Sequence, residues 1–187
     1  MSRAGVSALS RVGPATLNIE SVYRDYCDAV TRWAARLSGP EVETEDLVQE
    51  IFLIAHRKLG SFRHDAALAT WLYRITERVV LRRRRRERVR RWLTPPHARA
   101  GLDTASSLPN PLEALQRRRA VLLTYEALEG LNENLRSAFI LFEIDELSGQ
   151  QIADLKGVNV STVWVWLHRA RARFLARLAK LEGEGIE

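Results

Sequence analysis

Apolar residues recur along this chain at intervals of three and four, the spacing of one face of an α-helix. Ile19, Val22, Tyr23, Tyr26, Val30, Trp33, Ala34 and Leu37 form the first such stripe, over residues 18–37. Gly39-Pro40 ends it. Leu47, Ile51, Ile54 and Leu59 form a second stripe, for which Thr44 is the expected N-cap. Glu43, Glu45 and Asp46 suit the positive end of that helix. Leu68, Leu72, Ile75 and Val79 mark a third helix, starting near Ala66 and running past Arg86. Gly60-Ser61 breaks the pattern between the second and third helices and opens a polar loop, Ser61–Ala66.

Periodicity then lapses. Residues 92–111 hold Pro95, Pro96, Gly101, Pro109 and Pro111 among small polar residues, which reads as a linker. Asn110-Pro111 is a helix start signal for a helix over residues 111–131, with Leu112, Leu115, Leu122, Tyr125 and Leu128 as its expected buried side. Leu131, Leu135, Ala138, Phe139 and Phe142 continue as the next stripe. The segment from Leu147 to Leu181 reads as a helix-turn-helix. Ser148 can cap a short helix containing Ile152, Ala153 and Leu155; Gly157 permits the turn, and Ser161 can cap the next helix. Val163, Leu167, Ala170, Phe174 and Leu178 form that last helix's core face.

The expected fold is therefore all-α: two small helical domains joined by a flexible linker, the second containing a helix-turn-helix. The divisions read as a disordered tail over 1–17, a first domain over 18–92, a linker over 93–111, a second domain over 112–181 and a tail over 182–187.

Charge sharpens this picture. The 187 residues carry a formal net charge of +6 and a pI near 10.1, which favours a polyanionic partner. Residues 18–61 hold five Lys/Arg against eight Asp/Glu, and residues 100–160 hold five against nine. Residues 62–99 hold twelve arginines against three acids, so this segment carries the excess. From Arg82 to Arg91 there are eight arginines and one glutamate, a block that repels itself unless an anion lies on it. The one cysteine, Cys27, sits on an apolar helix as a packing residue, so no intramolecular disulfide or cysteine zinc site is expected and a reducing cytoplasm is. No apolar run is long enough to span a membrane. His56, His64, His97 and His168 are scattered, and no carboxylate pair, nucleophile triad or phosphate loop is legible, so neither an enzyme nor a cofactor or metal is expected.

The candidate chemistry is nucleic-acid binding. Arg74, Arg78, Arg82 and Arg85 lie four, four and three apart, so they can line one stripe of the third helix. The loop before it offers Ser61, Phe62, Arg63 and His64, an aromatic among donors. Cations that track phosphates beside a loop able to stack an unpaired base suit a single strand. In the helix-turn-helix, the second helix presents Thr162, Trp164, Val165, His168, Arg169 and Arg171 away from its core face, the surface that would enter a major groove.

These stretches also carry a likeness. DLVQEIFLIAHRKL followed by FRHDAALATWLYRI resembles region 2 of the bacterial sigma factors, of the extracytoplasmic-function group. Leu131, Arg136, Gln151-Ile152-Ala153, Thr162-Val163 and His168-Arg169-Ala170-Arg171 resemble region 4 of the same group. The likeness covers roughly Ile19 to Leu181. It implies a subunit that docks on core RNA polymerase, melts promoter DNA at −10 and reads the −35 duplex. It gives Asp46, Gln49, Glu50 and Leu53 the polymerase-docking role. It also implies an anti-sigma factor as a partner. Two departures stand out. Arg78 replaces the family's usual asparagine, and Trp164-Val165-Trp166 replaces a polar or basic pair followed by arginine. Trp166 can enlarge the core; Trp164 can touch DNA or serve as a protein-binding hot spot. A stand-alone helix-turn-helix regulator and a sigma-like protein-interaction module are the other readings, but the first leaves Asp46–Leu53 without a purpose.

Overall fold

The computed structural model describes residues 18–62, 67–93 and 111–184, and every regular element among them is helical. The expected N-terminal tail, Arg63 and His64 of the loop, and nearly all of the expected linker lie outside the described residues. Helix α1 spans Ile19–Ser38, α2 Thr44–Leu59 and α3 Leu68–Leu93. The second half contains α4 (Pro111–Leu128), α5 (Glu133–Phe139), a π-helical turn (Ile140–Ile144), α6 (Gly149–Lys156) and α7 (Val160–Glu184).

The first domain is a three-helix unit built on the apolar stripes. Val22, Val30, Trp33, Ala34 and Leu37 of α1 are buried with Leu47, Ile51, Phe52 and Ala55 of α2 and Leu72, Tyr73, Val79 and Val80 of α3. Trp33 meets Tyr73 edge to face at 5.4 Å, the geometry aromatic quadrupoles favour. Asn18 caps α1 by accepting the Ser21 N–H at 2.7 Å. Thr44, expected as the N-cap of α2, is instead its first helical residue; Glu43 holds the cap position without a side-chain hydrogen bond. Glu45 and Asp46 still occupy the first turn, at the positive end of the helix dipole.

The second domain closes around α7. Val163, Leu167 and Ala170 are fully buried, against Leu135, Ala138 and Leu141 and the short α6 with Ile152, Ala153 and Leu155. Each fully buried Leu or Ile of this kind contributes roughly 1.5–3 kcal/mol over its exposed state. Ser148 and Gln151 form a reciprocal capping box at the start of α6. Gly157 ends α6 in the left-handed region, at φ 63°, where a β-carbon would be strained. Asn159, not Ser161, caps α7: its Oδ1 accepts both the Ser161 N–H and the Ser161 hydroxyl at 3.0 Å. The expected stripe from Leu131 to Phe139 is buried, but the helix then widens, with Asp145 N–H donating to the Ile140 carbonyl five residues back at 3.0 Å.

Two expectations about burial need correction. In α4, Leu112 is 63% exposed, Leu115 and Leu122 are exposed too, and burial begins only at Ala127 and Leu128. The early turns of α4 stand clear of the core that its last turn enters. Tyr23 of α1 is also exposed, resting one edge on Phe52 with ring centres 4.7 Å apart. The domains themselves are not apart. α3 packs against α6, and the buried apolar residues of both halves form one continuous cluster.

Candidate nucleic-acid interface

α3 has two faces, set by its register against the core. Leu72, Tyr73, Thr76, Val79 and Val80 point inward; the buried Thr76 hydroxyl is satisfied by donating to the Leu72 carbonyl at 3.0 Å. Arg74, Arg78, Arg82 and Arg85 are all exposed, on the stripe that their spacing predicts. Arg82 is bound to Glu50 of α2, so one cation of this stripe already has an acidic partner across the domain. At the head of α3, Phe62 packs its ring 5.2 Å from that of Trp71, while Ser61 is exposed and donates to the Lys58 carbonyl at 2.8 Å. Trp71 is therefore a half-buried support for the loop.

The arginine block is not uniform. Arg84 is 8% exposed, and its guanidinium reaches Glu129 at 2.8 Å and Glu133 at 3.2 Å, both in the second domain. Arg88 adds a contact to Glu129 at 3.1 Å. Arg136 lies beneath this cluster, 2% exposed, with Glu129 at 3.4 Å and the Tyr125 ring at 5.6 Å. Burial pushes the Arg136 guanidinium down to about 10, and the Arg84 charge adds to the shift. Its side-chain nitrogens find no hydrogen-bond partner among the described residues, so the ion pair and the aromatic face carry it. Burial alone would raise the Glu129 carboxyl, but Arg84, Arg136 and Arg88 outweigh it and the net shift is downward. Sequence reasoning placed the arginine block on DNA and left Arg84 unsorted, because its acidic partners lie 45 and 49 positions away.

In α7 the buried Val163, Leu167 and Ala170 turn Trp164, Val165, His168, Arg169 and Arg171 outward, all exposed, with Thr162 half-buried at the start. Trp164 is 48% exposed and sits edge to face with Phe142, ring centres 5.7 Å apart. It also lies on Gly149, where a β-carbon would come within 2.7 Å of the indole. Arg171 pairs with Glu143 at 2.7 Å and stacks 5.2 Å from the Phe142 ring. The π-helical turn thus supplies both Phe142 and Glu143, neighbours of the exposed face of α7 that the sequence pattern did not single out. Trp166 is half-buried, with the Lys156 ammonium 5.6 Å from its ring.

On α2, Asp46, Gln49 and Leu53 are exposed on the side opposite Leu47, Val48, Ile51 and Ala55, and Leu53 is 56% exposed. Glu50 lies between them, part-buried and paired with Arg82. This is an exposed surface with acids toward the start of α2 and an apolar residue, Leu53, at its far end, suited to a helical protein partner. Among the described residues no cluster of His, Cys, Asp or Glu could hold a metal. No helix among them is long and apolar enough to cross a membrane.

Comparison with known proteins covers both halves of the chain. The family model for sigma-70 region 2 matches residues 22–90, and that for sigma-70 region 4 matches residues 121–174. RNA polymerase sigma factor YlaC of Bacillus subtilis is 32% identical over 168 residues, 89% of this chain and 95% of that protein. ECF RNA polymerase sigma factor SigE of Mycolicibacterium smegmatis is 32% identical over 167 residues; this chain spans 88% of itself and 63% of that longer relative. The ECF RNA polymerase sigma-E factor of Escherichia coli is 32% identical over 141 residues, 71% of this chain and 72% of that one. Among solved structures, CnrH in complex with the cytosolic domain of CnrY shares the fold, with a TM-score of 0.56, 22% identity, and 87% and 88% of the two chains covered. So does the sigma factor RpoE of Bartonella quintana in complex with the anti-sigma factor NepR, with a TM-score of 0.53, 24% identity, and 86% and 96% covered.

Proposed function

The chain belongs to the sigma-70 family, as an extracytoplasmic-function factor that directs RNA polymerase to promoters, and we propose on that premise a division of labour between its two helical domains. The second domain holds the −35 duplex. The N-terminal half of α7 enters the major groove, where Arg169 and Arg171 meet guanine edges or phosphates and Trp164 lies against a thymine methyl or the sugar wall. Thr162, Val165 and His168 complete that surface. The first domain captures the −10 strand once it is unpaired. The loop of Ser61, Phe62, Arg63 and His64 takes the bases, and Arg74, Arg78, Arg82 and Arg85 follow the backbone. Melting results because only the open strand fits the loop, so binding draws the duplex toward the open state. Asp46, Gln49, Glu50 and Leu53 dock on core polymerase.

The observation that carries this reading is α7 itself. A capped helix with a fully buried stripe turns two arginines, a histidine and a tryptophan outward together. The chain acts by binding alone, without catalysis, and works in the cytoplasm. An anti-sigma protein is its expected inhibitor, as NepR is the partner in the Bartonella complex. The test replaces Arg169 and Arg171 with Ala and follows binding to a −35 duplex across a salt series. Two lost phosphate contacts flatten the slope of log affinity on log salt by about 1.8. An unchanged affinity and slope would count against the assignment.

A further inference from the structure

Gly149 is the first residue of α6, next to the Ser148 cap, and it is buried. Its backbone does not call for glycine: among the described residues the glycines with positive φ are Gly39 and Gly157. What calls for it is the indole of Trp164. A β-carbon on Gly149 would lie 2.7 Å from Cζ2 of that ring and 3.1 Å from Cε2 and Cη2, inside the distance at which carbon atoms repel. Phe142 meets the same ring edge to face, with centres 5.7 Å apart. The bare first residue of α6 and the π-helical turn together seat the indole. Trp164 is nevertheless 48% exposed, and Val165 beside it is 47% exposed. Helix α7 thus presents a seated apolar patch near its start, with His168 and Arg171 one and two turns further on.

We infer that this patch reads thymine: Trp164 is a specificity-determining residue for the C5-methyl group in the major groove, and Gly149 is the residue that positions it. The inference rests on the −35 role proposed for α7 and names what that face selects. The first argument is the chemistry of the groove. Base edges there are donors and acceptors, with the thymine methyl as the one apolar exception. An indole and a valine pressed on a ring nitrogen, a carbonyl or an exocyclic amine would strip it of water and return no hydrogen bond. Pressed on a methyl, they bury apolar surface from both sides. The patch therefore favours thymine by attraction and by the cost it imposes on the other bases.

Position and rigidity point the same way. Trp164 opens the second turn of α7, which starts at Val160, and the N-terminal half of such a helix is the part that meets base edges. An indole already held by Phe142 and Gly149 has little rotational freedom left to lose on binding. An exposed tryptophan also suits a protein interface. Here, however, Arg171 stacks 5.2 Å from the same Phe142 ring, which joins the patch to the cationic side of α7, and cations of that kind suit phosphates.

The experiment uses holoenzyme, the full chain on core RNA polymerase. It selects promoter duplexes from a pool randomised across the −35 element, and each thymine of the recovered element is then replaced by deoxyuridine, which lacks only the methyl. At one position, or two adjacent ones, uracil should weaken wild-type binding by about fourfold, the value of one buried methyl group. Trp164→Ala should bind the thymine and uracil duplexes alike at that position. Gly149→Ala should lose most of the discrimination too, although alanine is the better helix former. In the Trp164→Ala background, Gly149→Ala should change nothing further, because the collision is gone; a glycine needed only for the fold would still show its loss. Arg169→Ala with Arg171→Ala should weaken binding to both duplexes and keep their ratio. If that arginine variant binds less well but the wild type distinguishes no thymine from uracil, the methyl reading falls and the −35 role stands. If the arginine variant binds as the wild type does, the −35 role falls and takes the inference with it. A Trp164→Ala chain that keeps the wild-type discrimination overturns the inference. So does one whose only loss is in joining core polymerase, which would mark the patch as a protein contact.

Discussion

Arg171 offers the sharpest test of the α7 reading face, because it already has a partner. Its Nε lies 2.7 Å from Glu143, and its guanidinium stacks on Phe142 at 5.2 Å. If Arg171 meets promoter DNA, the Glu143 carboxylate competes with phosphate or guanine for it. The pair is partly solvated, with side chains 47% and 35% exposed, which sets the size of that competition. Exposed pairs of this kind contribute about 0.2–1 kcal/mol, equivalent to about 1.4- to 5-fold in a dissociation constant. Glu143→Gln removes the charge while keeping the shape, so it should tighten binding to a −35 duplex by about 1.4- to 5-fold. The gain should be largest at low salt, where the lost repulsion between Glu143 and phosphate is least screened. Arg171→Ala should weaken binding and reduce the salt slope by about 0.9. In the double variant the benefit of Glu143→Gln should shrink to the part owed to repulsion alone. Fluorescence anisotropy with a labelled duplex, titrated at several salt concentrations, reads all three. If Glu143→Gln weakens binding and Arg171→Ala leaves the slope untouched, Arg171 is a strut for the π-helical turn and the reading face ends at Arg169.

Two further outcomes follow from packing. Leu167→Ala empties a fully buried position in the second domain, and should cost about 2–5 kcal/mol in urea unfolding, with −35 binding falling only as far as the unfolded fraction grows. Gly157→Ala forces a β-carbon into the left-handed region and against Arg74; it should cost about 1–2 kcal/mol or more, seen as a lower thermal midpoint.

How much of this was legible in the chain depends on the range of the interaction. Helical spacing brought out the stripes of α1, α2, α3 and α7, and Ser148 marked the start of α6, because neighbours three or four residues apart decide those features. The exposed stripe of Arg74, Arg78, Arg82 and Arg85 was readable for the same reason. The caps of α2 and α7 were misread by one or two residues, since Thr44 and Ser161 look as capable as the residues that flank them. The buried side of α4 was misread because periodicity says that a face is apolar, not that anything covers it: Leu112 and Leu115 have the right spacing and remain exposed.

The sequence by itself determined an all-helical chain of the sigma-70 type, with a basic third helix and a helix-turn-helix near its end. Only the tertiary structure decided which arginines face water and which are spent inside. Arg84 and Arg85 are adjacent and chemically identical, yet one is buried between two glutamates and the other is exposed. Their difference is a matter of register on α3 and of acids more than forty residues away, and no local pattern carries that information.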